Sequence, residues 1–121
     1  MMIQLRPDNI EEEILNSSKM CVVTFKSSGC HLCRGLNKII FKLRRKYFKD
    51  YKFAEVDVDT QENLAQIFKV DGVPTMFVFK DGDAAEIPYP EDPNLVSGYH
   101  EGGVVEFLDY CLDDGVFEQD V

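Results

Sequence analysis

The feature that most constrains this fold is an apolar strand that gives way, after only four residues, to a long amphipathic helix. Residues 20–25 form a nearly continuous β-favouring run, which is typical of a strand buried on both faces. Residues 26–29 break that run. The helix that follows carries one apolar stripe, made of Leu32, Leu36, Ile39, Ile40, Leu43 and Tyr47. A buried strand joined to a one-faced helix predicts a layered α/β domain.

Strands and helices continue to alternate along the chain. The pattern predicts a short helix after Pro7, strands over 52–57, 75–79 and 96–99, a helix capped by Thr60 with Leu64, Ile67 and Phe68 facing inward, and a last helix after Gly103. Residues 80–83 are typical of a hairpin turn. This order predicts an α/β fold with a mixed, mainly parallel central sheet of four to five strands, flanked by helices on both faces.

Length and composition predict one domain over residues 1–121. With 45% hydrophobic residues, the chain suits a single core, which we place at about residues 8–112, followed by an acidic tail over 113–121. The N-terminus lacks a basic segment before an apolar run, and no later apolar stretch is long enough to span a bilayer. We therefore expect a cytoplasmic protein that binds no membrane, and we expect it to be a monomer.

Charged residues are distributed unevenly. The formal net charge is −9, yet eight basic residues lie between Arg34 and Lys52, and twelve of the 22 acidic residues follow Lys80, where no basic residue occurs. This net charge disfavours nucleic acid as a partner. We interpret both regions as solvated faces; the alternative is that the basic helix attracts acidic partners.

The segment Cys30-His31-Leu32-Cys33 stands where the buried strand gives way to the helix. Two cysteines at this spacing lie within one turn and can form a small disulfide ring, and the unpaired N–H groups at a helix start stabilise a thiolate. This predicts Cys30 as the nucleophile and Cys33 as the more buried resolving thiol. His31 either supports the thiolate with a positive charge or is an exposed spacer.

The other cysteines and histidines argue against a metal site. Half of a zinc site has the same C-x-x-C spacing, but the chain has no second such pair and only two histidines, His31 and His100. Cys21 and Cys111 each stand alone among apolar residues, so we predict that both are inert buried thiols. We expect no metal and no organic cofactor.

Five segments taken together resemble the thioredoxin family. They are residues 22–25, the Cys30–Cys33 segment, residues 56–59, residues 70–75 with Gly72-Val73-Pro74-Thr75, and residues 77–82. The resemblance covers about residues 8–112. It implies a thioredoxin fold with a nucleophile at Cys30, a resolving thiol at Cys33 and a cis-Pro74 beside them. It also implies that the Val73 backbone pairs with the substrate chain, which Gly98 allows to approach closely.

This chain departs from the family at positions that bear on its chemistry. It has no tryptophan, and Thr24 stands where thioredoxins carry the buried acid that accepts the proton of the resolving thiol. Glu55, on the strand expected beside Thr24, is a candidate replacement, although it could equally be a surface glutamate. The proline-rich segment 87–93 is longer than the usual connection; it is either a plain surface insertion or a border of the site that selects a partner.

The resemblance implies a thiol–disulfide oxidoreductase that reduces protein disulfides through a reversible Cys30–Cys33 disulfide and is itself re-reduced by a reductase. Two alternatives stay open at this point. One is a redox-inactive thioredoxin-fold module that binds a partner in the groove around Val73 and Pro74, and the other is a zinc-binding domain.

Overall fold

Residues 2–113 form five strands in one mixed sheet. In this computed structural model, which describes those residues, the strands are β1 (Met2–Gln4), β2 (Met20–Lys26), β3 (Tyr51–Asp57), β4 (Thr75–Lys80) and β5 (Asp83–Glu86). Their order is β1-β3-β2-β4-β5, with β1, β3 and β2 parallel and β4 antiparallel to both β2 and β5. The predicted mixed α/β sheet is confirmed. The predicted acidic tail beyond residue 113 lies outside the described residues.

Helical segments cover both faces of the sheet. They are a π-helical turn (Glu11–Leu15), α1 (His31–Tyr47), α2 (Glu62–Ile67) and α3 (Glu101–Leu112). Because successive side chains of a strand point to opposite faces, Val22 packs in the core with α1 and α3, whereas Val23 packs with the π-helical turn and α2. β2 is therefore buried on both faces, as its apolar run predicts. None of these helices is both long and apolar enough to cross a bilayer.

The start and end of α2 differ from the prediction. Gln61, rather than Thr60, is the N-cap, and no side chain caps the helix. The Thr60 hydroxyl instead donates to the carbonyl oxygen of Asp57 at 3.4 Å. Leu64 is buried as predicted, but Ile67 is 66% exposed. Ile67 is the last residue of this short helix, and the chain turns away at Lys69, which has a φ of 57°.

The strand predicted over 96–99 is wrong, and the fifth strand lies directly after the hairpin turn. At Met76, which lies beyond the end of β5, other parts of the chain form the hydrogen bonds of the outer edge of β4. The Met76 carbonyl oxygen accepts from the Ile87 N–H at 2.9 Å, and its N–H donates to the Tyr99 hydroxyl at 3.0 Å. The Tyr99 side chain thus occupies the place that a strand backbone would take, so residues 96–99 stay irregular.

Both ends of segment 87–99 are consequently fixed to Met76. Ile87 and Tyr99 are each 1% exposed, and burial raises the pKa of the Tyr99 hydroxyl to about 12. The Tyr89 ring packs edge-on against the Tyr99 ring, with centroids 5.2 Å apart. This arrangement holds the proline-rich segment in one place at the edge of the sheet.

Cys21 and Cys111 are free, buried thiols, as predicted. Cys21 lies in the core on the face of the π-helical turn, and Cys111 in the core on the face of α3. Burial raises the pKa of the Cys21 thiol to about 12 and that of the Cys111 thiol to about 11. Since the thiolate is the reactive form, neither group competes with the exposed end of the cysteine pair at neutral pH.

Replacing Tyr99 with Phe should lower the free energy of unfolding by about 1–3 kcal/mol, because the buried Met76 N–H loses its hydrogen-bond acceptor. Urea unfolding of the variant and the wild type measures the difference. Tyr89→Phe is the matched control, since Tyr89 is 49% exposed and its hydroxyl forms no hydrogen bond within residues 2–113. Equal losses in the two variants would contradict this role of Tyr99.

Candidate active site

The cysteine pair lies at the start of α1. Cys30 is the N-cap residue in extended conformation, and its sulfur is joined to that of Cys33 in a disulfide, with the two Cα atoms 5.2 Å apart. The Cys33 N–H donates to Cys30 Sγ at 3.0 Å. Cys30 is partly exposed, whereas Cys33 is 3% exposed. Cys30 is therefore the less buried residue of the pair, and its sulfur accepts from an N–H of the first helical turn.

His31 is exposed at the first position of α1 and pairs with Arg34 one turn later. The Arg34 Nη2 lies 2.6 Å from His31 Nδ1. Because a guanidinium can only donate, His31 Nδ1 must accept and carries no proton in this arrangement. The positive charge on this first turn of α1 is that of Arg34, whose guanidinium also donates to the carbonyl oxygen of Ser28 at 3.4 Å and which the sequence analysis did not select.

Pro74 and Gly98 lie together beside the loop between the cysteines. The Val73–Pro74 peptide bond is cis, and Pro74 is buried. Gly98 has a φ of 77°, and a Cβ there would lie 2.6 Å from Pro74 Cγ and 3.7 Å from Leu32 Cβ. The structure thus brings Leu32, Pro74 and Gly98 together. The N–H and C=O of Val73 form no backbone hydrogen bond within the described residues.

Gly35 is a site residue that sequence reasoning missed. It lies in the second turn of α1, where a Cβ would collide with the carbonyl oxygen of Val96 and lie 3.1 Å from the Cα of Ser97. Glycine inside a helix is unfavourable by roughly 0.5–1 kcal/mol relative to alanine, so its presence there indicates close backbone approach. That signal was available in the sequence. Gly35 allows residues 96–98 to lie directly on the helix.

Glu55 belongs to a charged network beneath α1. It is aligned with Thr24 on the neighbouring strand, and its side chain is 14% exposed. Lys26 Nζ contacts Glu55 Oε1 at 2.8 Å and also donates to Asn37 Oδ1 of α1 at 3.3 Å, while Gln4 donates to Glu55 Oε2. Asn37 lies four residues after Cys33, so both face the same side of the helix. Glu55 is therefore not a plain surface glutamate.

The proline-rich segment borders the cysteine loop. Residues 89–93 and Leu95 form one wall of a cavity of about 440 Å³ whose opposite wall is Leu32 and Gly98. Of the two roles considered for this segment, its position fits a border of the site better than a plain surface insertion. As for metals, residues 2–113 bring no three His, Cys, Asp or Glu side chains together in a group that could hold an ion.

Comparisons with known proteins agree with this geometry. The sequence model of the family described as Thioredoxin matches residues 1–94. A thioredoxin of Acetoanaerobium sticklandii is 32% identical over 91 residues, which cover 75% of this chain and 87% of the relative. A thioredoxin of Coprinus comatus is 35% identical over 77 residues, covering 61% and 73%, and one of Mycobacterium tuberculosis is 29% identical over 80 residues, covering 66% and 69%.

The chain therefore belongs to the thioredoxin family. With its Cys30–Cys33 disulfide it is a thiol–disulfide oxidoreductase, and the alternative of a redox-inactive binding module is not favoured.

Gly35→Ala should destabilise the protein by about 1–3 kcal/mol, the range for inserting one methyl group into a tightly packed site. The new methyl group must push residues 96–98 away from α1. The matched control is Gly102→Ala in α3, where a Cβ would meet nothing within 4 Å. That change should stabilise the helix by about 0.4–1 kcal/mol. Thermal or urea unfolding measures the sign of the change in unfolding free energy for each variant. Stabilisation by Gly35→Ala would show that α1 and residues 96–98 are not tightly packed.

Proposed function

We propose that the chain reduces disulfides of protein substrates, with Cys30 as the nucleophile and Cys33 as the resolving thiol. The Cys30 thiolate attacks one sulfur of the substrate disulfide, forming a mixed disulfide and releasing the other substrate sulfur as a thiolate. The Cys33 thiolate then attacks Cys30 Sγ, which releases the first substrate sulfur and leaves the Cys30–Cys33 disulfide. Two electrons pass to the substrate, and a reductase must return them.

The observation that carries this proposal is the disulfide at the start of α1, formed by two cysteines of unequal exposure. Partial exposure of Cys30 favours it as the atom that meets the substrate. Burial of Cys33 keeps the resolving thiol from reacting with anything except the mixed disulfide beside it. The Cys33 N–H and the dipole of α1 favour the thiolate form of Cys30, which is the form that attacks the substrate disulfide.

Substrate binding is assigned to Val73, Pro74 and Gly98. The unused backbone groups of Val73 support pairing with an extended substrate segment, and the absence of a side chain at Gly98 supports close approach of that segment to Pro74. The contribution of His31 is indirect, because its ring accepts a hydrogen bond from Arg34 and orients that positive charge near the cysteines.

Glu55 is proposed as the proton acceptor for Cys33. Thr24 is 2% exposed and has no acidic group, so it cannot take the proton when Cys33 attacks. Glu55 is the aligned residue on β3, and Lys26 joins it to the face of α1 that carries Cys33. We further propose that residues 1–121 act as one monomeric, cytoplasmic domain, where thiol pools favour the reducing direction.

Cys33→Ser should trap the mixed disulfide. With the resolving thiol removed, the reduced variant should accumulate a covalent adduct with a disulfide-containing protein such as insulin, and turnover should be lost. Mass spectrometry of the adduct should locate the bond at Cys30. Cys30→Ser is the control and should form no adduct, since Cys21 and Cys111 are buried with raised thiol pKa values. An adduct at Cys33 in that control would reverse the assigned roles.

Glu55→Gln should slow resolution of the mixed disulfide by about tenfold or more, because general bases contribute at least that much to such steps. Stopped-flow measurement of this step across a range of pH tests proton transfer, since a structural role would leave the pH profile unchanged. Glu13→Gln is the control: Glu13 also pairs with a lysine, Lys52, at 2.8 Å, but it lies on the π-helical turn. An unaltered pH profile in Glu55→Gln would exclude Glu55 from the mechanism.

A further inference from the structure

The cavity beside the cysteine loop has a position that suits substrate selection. Leu32, between the two cysteines, and Gly98, against Pro74, form one wall, and residues 89–93 with Leu95 form the other. Because Leu32 lies two residues from Cys30, the cavity is next to the place where a substrate disulfide would meet Cys30. A volume of about 440 Å³ corresponds to a width of roughly 8 Å, which an extended chain rising about 3.3 Å per residue crosses in two or three residues.

The far wall is fixed before any substrate arrives. Ile87 and Tyr99 hold the segment to Met76 at both ends. Between them, Pro88, Pro90 and Pro93 restrict the backbone. Asp92 Oδ1 accepts from the Asn94 N–H at 3.0 Å, and Asp92 Oδ2 lies 3.3 Å from His100 Nε2. A preformed wall loses little conformational entropy when it binds a ligand.

The lining of this cavity combines an apolar surface with negative charge. Leu32, Tyr89, Leu95 and the prolines supply the apolar part, and Glu91 and Asp92 supply two carboxylates, while none of the lining residues is basic. Asp92 is engaged by Asn94 and His100. Glu91 is exposed and forms no ion pair or hydrogen bond within residues 2–113, so its carboxylate is available to a ligand.

We infer that this cavity receives a lysine or arginine side chain of the protein substrate, two or three residues from the disulfide being reduced. The aliphatic stem of such a side chain packs on Leu32 and Tyr89, and its cationic end pairs with Glu91. The inference rests on the proposed function, because it assigns the sequence preference of the same reaction. A purely apolar side chain would pack on the same surface without using Glu91. The experiment below distinguishes a cationic from an apolar side chain.

The test uses disulfide-linked peptides that are identical except for Lys, Gln, Leu or Glu three residues from each cysteine. The kcat/KM for their reduction should be about two- to fivefold higher for Lys than for Gln, and lower still for Glu, as for an exposed ion pair. Raising the salt concentration from about 0.05 to about 0.5 M should narrow the difference. Glu91→Gln should abolish the preference for Lys, and Glu91→Lys should reverse it.

Glu12→Gln is the charge-matched control, because Glu12 is an exposed carboxylate on the π-helical turn at the opposite face of the sheet. It should keep the wild-type preference. Equal rates for all peptides, a preference for Leu, or a preference for Lys that survives in Glu91→Gln would each overturn the inference while leaving the oxidoreductase intact. If the wild type reduces none of the peptides and matches Cys30→Ser, the proposed function itself fails.

Discussion

The direct contact of residues 96–98 with α1 is the constraint on which the site depends. Gly35 allows the backbone of Val96 and Ser97 to lie on the helix, and this places Gly98 against both Pro74 and Leu32. Three parts of the chain that are distant in sequence therefore meet at fixed separation beside the cysteines. A larger residue at Gly35 would collide with the backbone of Val96, and one at Gly98 would collide with the ring of Pro74 and would also be strained at a φ of 77°.

The same packing buries three of the four cysteines. The sheet buries Cys21 on one face and Cys111 on the other, and burial raises the pKa of each thiol far above neutral pH. Cys33 is buried as well, but it lies one helical turn from Cys30 and is reached through it. Of the four cysteines, Cys30 is therefore the one that is not buried.

The sequence predicts those parts of the molecule that depend on local pattern. The apolar run of β2, the stripe of α1 and the Cys30–Cys33 spacing each lie within one segment, so the fold class and the redox pair follow from them. The three residues of β1 are too few to show alternation. The bond from Met76 to Tyr99 joins a strand to a side chain 23 positions away, and it is what keeps 96–99 from forming a strand. Such tertiary contacts leave no periodicity in the sequence.

The contacts around Glu55 also depend on long-range packing, because they join residues of different strands and of α1. A carboxylate that is 14% exposed is stable when its oxygens are satisfied, and here Lys26 and Gln4 satisfy both. Lys26 also donates to Asn37, so the network is connected to the helix that carries Cys33. An acid at position 24 would have to be satisfied deeper in the core, where the exposed fraction of the side chain is 2%. Glu55 on β3 is instead paired with Lys26, whose side chain is 25% exposed, so this carboxylate is satisfied without being moved into the core.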